Sequence, residues 1–139
     1  MVDLKENSKD SEIVDSIDSP EAIVRLRRDG IVHITFKKDI IFDVEAQLRH
    51  LDINNKITGG KKSYFIYDAE ENVTITKEAR DNATKIEHLA PVKGTVVVAN
   101  NLAYRIIANF YIKFNKPKTP FKVVDSFEKA VDWIKCLPA

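Results

Sequence analysis

Few side chains in this chain could do chemistry. There are three histidines, His33, His50 and His88, and one cysteine, Cys136. Metal sites gather such residues at short repeated spacings, and no His-x-x-x-His or comparable pairing occurs, so no metal centre is expected. Cys136 has no second cysteine to pair with and reads as a structural thiol at the end of a helix rather than as a nucleophile. The four glycines, Gly30, Gly59, Gly60 and Gly94, form no Gly-x-Ser-x-Gly, Walker-type loop or Gly-x-Gly-x-x-Gly. A strand followed by Asn100-Asn101 and a helix has the outline of a phosphate-binding turn. Without glycine the backbone cannot approach a phosphate closely, so the pair reads as a helix N-cap. No catalytic set and no cofactor are expected, and the chain reads as non-enzymatic.

Two residues remain. Asp68 ends a central strand, where receiver domains carry a phosphorylated aspartate. Those domains need an acidic pair after the first strand, and here a hairpin stands there instead. Thr76 precedes a helix that opens with Lys77-Glu78-Ala79-Arg80. Its hydroxyl is an N-cap, and it is also the candidate phosphoacceptor, because a phosphate there would sit at the favourable end of the helix dipole.

The elements that must position these residues follow from periodicity. Residues 1–19 are polar, rich in Asp and Ser and without an aromatic, and predict a flexible N-terminal tail. In that tail Ile13, Val14 and Ile17 are the residues able to dock. From residue 20 to 139 the pattern predicts a single α/β domain. Arg28-Asp29-Gly30 joins two β-prone runs as a hairpin. Asp43 caps a helix with Val44, Leu48, Leu51 and Asn55 on its inner stripe, Arg49, His50 and Asp52 facing out, and Gly59-Gly60 as its stop. "SYFIYDA" and "TVVVAN" are apolar on both faces, as central strands are. Between them lies a helix with Ala79, Ala83, Ile86 and Ala90 buried, with Pro91 and Gly94 as breaks. "FKVV" is a short strand, and Ser126 caps a last helix with Phe127, Ala130, Val131, Ile134 and Leu137 at core spacing. The order ββαβαβαβα predicts a mostly parallel five-stranded sheet with an N-terminal hairpin and four helices.

The helix over 101–114 is unusual. At about 100° per residue, Arg105, Asn109 and Lys113 form one narrow polar stripe. Leu102, Ala103, Ile106, Ile107, Phe110 and Phe114 read as the face toward the sheet. Tyr104, Ala108, Tyr111 and Ile112 extend the apolar arc beyond what one sheet face covers, which makes them the candidate interface. A neighbouring helix, the N-terminal tail, a protein partner, a second copy or an apolar small ligand could cover them.

Composition limits the partners. Apolar residues make up 44% and charged residues 31%, with 22 Lys and Arg against 21 Asp and Glu, a net charge of +1. That balance exerts no general pull toward nucleic acid, and the basic runs are not interleaved with aromatics as in RNA- or DNA-binding modules. No apolar run reaches the length of a membrane span, so membrane insertion is not expected. Nor is a signal peptide recognisable, which predicts a cytoplasmic protein.

With these elements in place, "IYDAEENVTITKEARDNA" and "NLAYRIIANFYIKFNKPKTPFKVVDSFEKAVDWI" resemble the small bacterial STAS/SpoIIAA-like domains over residues 20–137. The shared pattern is a strand ending in Asp, a hydroxyl residue before Glu-Ala-Arg, a helix with Asn-Phe, a Pro-containing loop and a final helix with Ala-x-x-Trp. The resemblance implies the SpoIIAA-like fold, which is also related to a lipid-exchange fold. It implies a regulatory or protein–protein interaction module, acting through a partner or as a homo-oligomer, as anti-sigma-factor antagonists do. The alternative is a small apolar ligand or lipid-binding domain with a pocket beside helix 101–114. The antagonists' Asp-Ser-Ser-Gly phosphoswitch is absent from "DAEENVTITKEAR", where Thr76 (or Thr74) matches by position alone.

Overall fold

The computed structural model describes residues 11–138. The first strand, β1 (Ile13–Asp18), lies inside the stretch expected to be a flexible tail, and it pairs antiparallel with β2 (Ala22–Arg27). Over those residues the expectation is corrected; residues 1–10 lie outside the described residues. An edge strand is held by main-chain hydrogen bonds more than by burial, and β1 is exposed along most of its length, so its composition carries no core signature. Ile17 alone packs onto the core, while Lys37 grips Asp18 at 2.6 Å and Arg28 reaches Glu12 at 2.9 Å.

β2 turns into β3 (Val32–Phe36) through Arg28-Asp29-Gly30, where Gly30 takes φ +87°, a conformation open to glycine at little cost. The chain then makes a two-residue strand, β4 (Ile41–Phe42), and the helix α1 (Val44–Thr58), capped by Asp43 accepting the Ala46 N–H. Next come β5 (Ser63–Ala69), the short β6 (Thr74–Ile75), α2 (Lys77–Ile86), β7 (Val92–Val98), α3 (Leu102–Asn115), β8 (Phe121–Val124) and α4 (Phe127–Lys135). β4 and β6 pair with each other in a small parallel sheet.

The main sheet has six strands in the order β1-β2-β3-β5-β7-β8, one more than expected because β1 joins it. β1 pairs antiparallel with β2 and β2 with β3, while β3, β5, β7 and β8 run parallel. Strand order along the parallel half advances in one direction, so α1, α2 and α3 all land on one face of the sheet. On that face Val24, Val32, Ile34, Phe36 and Phe65 pack against Ala46 and Ile57 of α1. On the other face Ile31, Ile66 and Val96 pack against Ala130 and Ile134 of α4, as the spacing of that helix predicts.

Two local expectations differ. Gly94 does not break a helix; it sits inside β7, where an added Cβ would lie 2.6 Å from the Tyr64 ring. Glycine there leaves room for that ring, whose hydroxyl donates to the Pro138 carbonyl at 3.0 Å. In α1 the inner stripe is Ala46, His50, Asn54 and Ile57, while Leu48 is exposed. His50 faces in because Ser19 and Glu21 meet it there, its Nε2 lying 2.9 Å from the Ser19 hydroxyl and 3.4 Å from Glu21. Burial holds its pKa below the ordinary histidine value, against the opposing pull of Glu21.

Candidate functional site

α3 starts where Asn101 accepts the Tyr104 N–H at 2.9 Å, so the Asn pair is a cap, as its lack of glycine implies. The helix then presents the opposite side from the one expected. Tyr104, Ala108 and Tyr111 face the sheet, with Ile112 partly covered beside them, and the supposed inner face points to solvent. The reason is polar. The Tyr104 hydroxyl accepts the Val73 N–H at 2.8 Å and donates to the Glu70 carbonyl at 3.1 Å. The Tyr111 ring lies 5.2 Å from the Phe121 ring, and Ala108 is small enough for close approach. Two apolar arcs were legible in the periodicity, but which one seats on the sheet depends on partners distant in sequence. Tyr104→Phe should therefore destabilise the fold by about 1–2 kcal/mol in a denaturant titration, since it leaves the N–H of buried Val73 without its acceptor.

Outward, Leu102, Ile106, Phe110 and Phe114 recur every fourth residue, with Leu102 68% and Phe110 60% exposed. The Phe110 and Phe114 rings stack at 4.2 Å. Such a row on a helix is larger than the scattered apolar exposure that soluble surfaces tolerate.

Beneath α3 is an open-mouthed cavity of about 310 Å³, lined by the sheet face, α1, α2 and α3. Its walls are mainly apolar, with Phe65, Tyr67 and Val97 from the sheet, Ala83 from α2, and Ala108 and Tyr111 from α3. The small side chains of α2, Ala79 and Ala83, leave the space that larger residues would fill. Ile107 lines the cavity while remaining 43% exposed, so the opening meets the outer apolar row. Little of the exposed wall is polar, although His50, Asp68, Arg80 and Glu87 are also among the lining residues. Asn54 Oδ1 is buried without a hydrogen-bond partner, an arrangement costing about 1–3 kcal/mol unless something donates to it. Burial pushes the Tyr111 pKa up to about 12, and burial with nearby Tyr111 raises that of Tyr67 further, so both phenols stay neutral.

The remaining chemistry-bearing residues lie apart from this cavity or stand in structural roles. His33 and Asp68 meet across β3 and β5, with Nε2 2.8 Å from Oδ2, a pair not foreseen although parallel register sets Thr35 opposite Asp68. Arg25 donates to the Thr35 hydroxyl beside them, and Phe127 packs on the His33 ring at 4.5 Å. Burial tends to raise the Asp68 pKa, but hydrogen bonds from His33 and Thr35 and the neighbouring positive charge hold it below the ordinary value. Thr76 caps α2 by accepting the Ala79 N–H at 3.1 Å, and Cys136 is exposed. Among the described residues no three His, Cys, Asp or Glu side chains gather to hold a metal. Likewise no described helix is long and apolar enough to cross a membrane.

Residues 24–137 match the family model of a domain of unknown function, DUF7793. The chain belongs to that family. No curated protein matches it. Among solved structures, the DUF7793 chain is similar to an uncharacterised DUF3478-family protein from Shewanella loihica PV-4, described as having a SpoIIAA-like fold. The likeness covers 86% of this chain and 89% of that one, with a TM-score of 0.55 and 11% sequence identity. At that identity it shows the fold alone: the DUF7793 chain has the SpoIIAA-like fold that its sequence motifs resemble.

Proposed function

We propose that this chain is a non-catalytic binding module that holds a small, mainly apolar molecule carrying one hydrogen-bond donor. The supporting observation is the cavity of about 310 Å³ under α3, at the lower end of known ligand pockets, with Asn54 Oδ1 unpartnered in its wall. An apolar body would fill the space between Phe65, Val97 and Ala83, and a hydroxyl would satisfy Asn54. Medium-chain n-alkanols are the test ligands. Calorimetric titration with decanol should give saturable binding, about fivefold tighter than its methyl ether, which has no donor. Ala83→Phe, which fills the cavity, should abolish the heat without lowering the melting temperature. No heat with any alkanol, or equal heat with the cavity filled, would count decisively against the reading.

A regulatory role through protein contact, with a partner or a second copy, is the second reading. The exposed row on α3 favours it. A dimer in sedimentation equilibrium that Phe110→Glu dissociates would establish it and displace the docking role argued below.

A further inference from the structure

α3 carries an outer face that water does not favour. Leu102, Ile106, Phe110 and Phe114 lie on one side, and the 12 steps from 102 to 114 make a row about 18 Å long at the helical rise of 1.5 Å per residue. The charges beside this row have one sign. From Asn100 to Lys122 the chain has five basic residues, Arg105, Lys113, Lys116, Lys118 and Lys122, and no Asp or Glu. All five are exposed. Nearby acids are mostly engaged elsewhere. Asp81 pairs with Lys77 and Asn115, Glu87 accepts the Lys118 and Thr119 N–H groups, and Asp125 is held by Lys129. Asp125 also feels Arg105 and Glu87 also feels Lys118, so the uncompensated charge beside the row is carried mainly by Lys113 and Lys116.

We infer that α3 lies flat on an anionic membrane surface, with this apolar row at the acyl boundary and the lysines against the headgroups. Apolar Leu and Phe on one face with Lys and Arg beside them is the pattern of an interfacial helix. The 14-residue helix is too short to span the bilayer, so the contact is peripheral. A second copy suits the face less well. In an antiparallel face-to-face pair, the two-fold axis sets both basic edges on the same side, Arg105 of each copy near Lys113 of the other. α3 has no acid to offset that repulsion. An anionic surface supplies what the helix lacks.

Docking stands on this face alone. Entry of a ligand from the bilayer past Ile107, which lines the cavity and borders the row, rests in addition on the binding role proposed above.

The full chain should be sedimented with vesicles of phosphatidylcholine and of an equimolar phosphatidylcholine–phosphatidylglycerol mixture. Binding to the mixed vesicles, weak binding to the neutral ones, and weakening as salt rises are expected. Each of Lys113→Ala and Lys116→Ala should lower the partition coefficient on mixed vesicles about fivefold. Phe110→Glu should lower it more than tenfold with an unchanged circular dichroism spectrum; Leu102→Ser serves if that variant misfolds. Ala83→Phe should bind vesicles like the unmodified chain while losing decanol, which separates failure of the cavity from failure of docking. Three results would overturn the inference: no sedimentation with either vesicle, undiminished binding by Phe110→Glu, or a lipid-free dimer that this substitution dissociates.

Discussion

Phe65→Ala is expected to lower the free energy of unfolding by about 3–5 kcal/mol, measured by denaturant titration with an unchanged slope. Phe65 is 1% exposed in the middle of β5, facing α1, with Val32 and Thr95 beside it in register. Its ring is also one wall of the existing cavity. Two effects oppose each other. A ring beside a void has fewer contacts to lose, which favours the low end of the range. Yet the space it vacates joins a cavity that the sheet and three helices already hold open, so the site cannot collapse to recover the loss. The second effect is expected to dominate. The same variant should accept longer alkanols than the unmodified chain does, because the two volumes become one. A loss below about 1 kcal/mol would mean that α3 settles onto the sheet and closes the space.

Asp29→Asn is expected to cost about 3–5 kcal/mol for a different reason. Asp29 and Arg27 are both 5% exposed on their side chains, and the guanidinium bonds both carboxylate oxygens, at 3.1 and 2.6 Å. Asp29 also accepts the Ile31 N–H and meets Lys135 at 3.2 Å, tying the β2–β3 turn to the end of α4. Neutralising it leaves the Arg27 charge buried over the Phe127 ring with no counter-ion. Burial raises the Asp29 pKa, but the Arg27 bonds, the Ile31 amide and Lys135 outweigh it, and the net shift is downward. A depressed carboxylate contributes stability above its unfolded pKa of about 3.9, and that contribution is lost as pH falls through the lower folded value. The gap between the two proteins should hold near neutrality and shrink in acid below about pH 4. A pH-independent gap would remove the charge from the explanation.

Those two effects belong to contacts that differ in how far they could be read in advance. The Asp29-Gly30 turn is local, and the hairpin follows from four adjacent residues. The same holds for the caps, since Asp43, Thr76, Asn101 and Ser126 each bond an amide three residues on. β5 spans the residues of "SYFIYDA", and α4 buries the stripe that its spacing indicates. The elements and their order were legible for this reason, since each rests on interactions within about four residues, and the alternation of strands with helices then implies parallel crossovers.

What escaped the sequence is long-range. β1 has too little apolar character to announce itself, and only pairing with β2 makes it a strand. His33 and Asp68 stand 35 residues apart and become a pair through the β3–β5 register. α1 turns His50 inward because Ser19 and Glu21 wait there.

The candidate site was half legible. An over-apolar helix over 101–114 was evident from composition, and so was the choice between contact surface and ligand pocket. The orientation was not, because hydrophobic periodicity gives an arc and no direction when most of the circumference is apolar. Hydrogen-bonding demand decided it: a tyrosine hydroxyl can bury itself where Val73 and Glu70 offer backbone partners, and a phenylalanine ring cannot answer them. Short-range chemistry along the chain determined the elements and the fold. Tertiary structure decided which face of α3 water sees and how much space is left beneath it, because both depend on groups that only folding brings within reach.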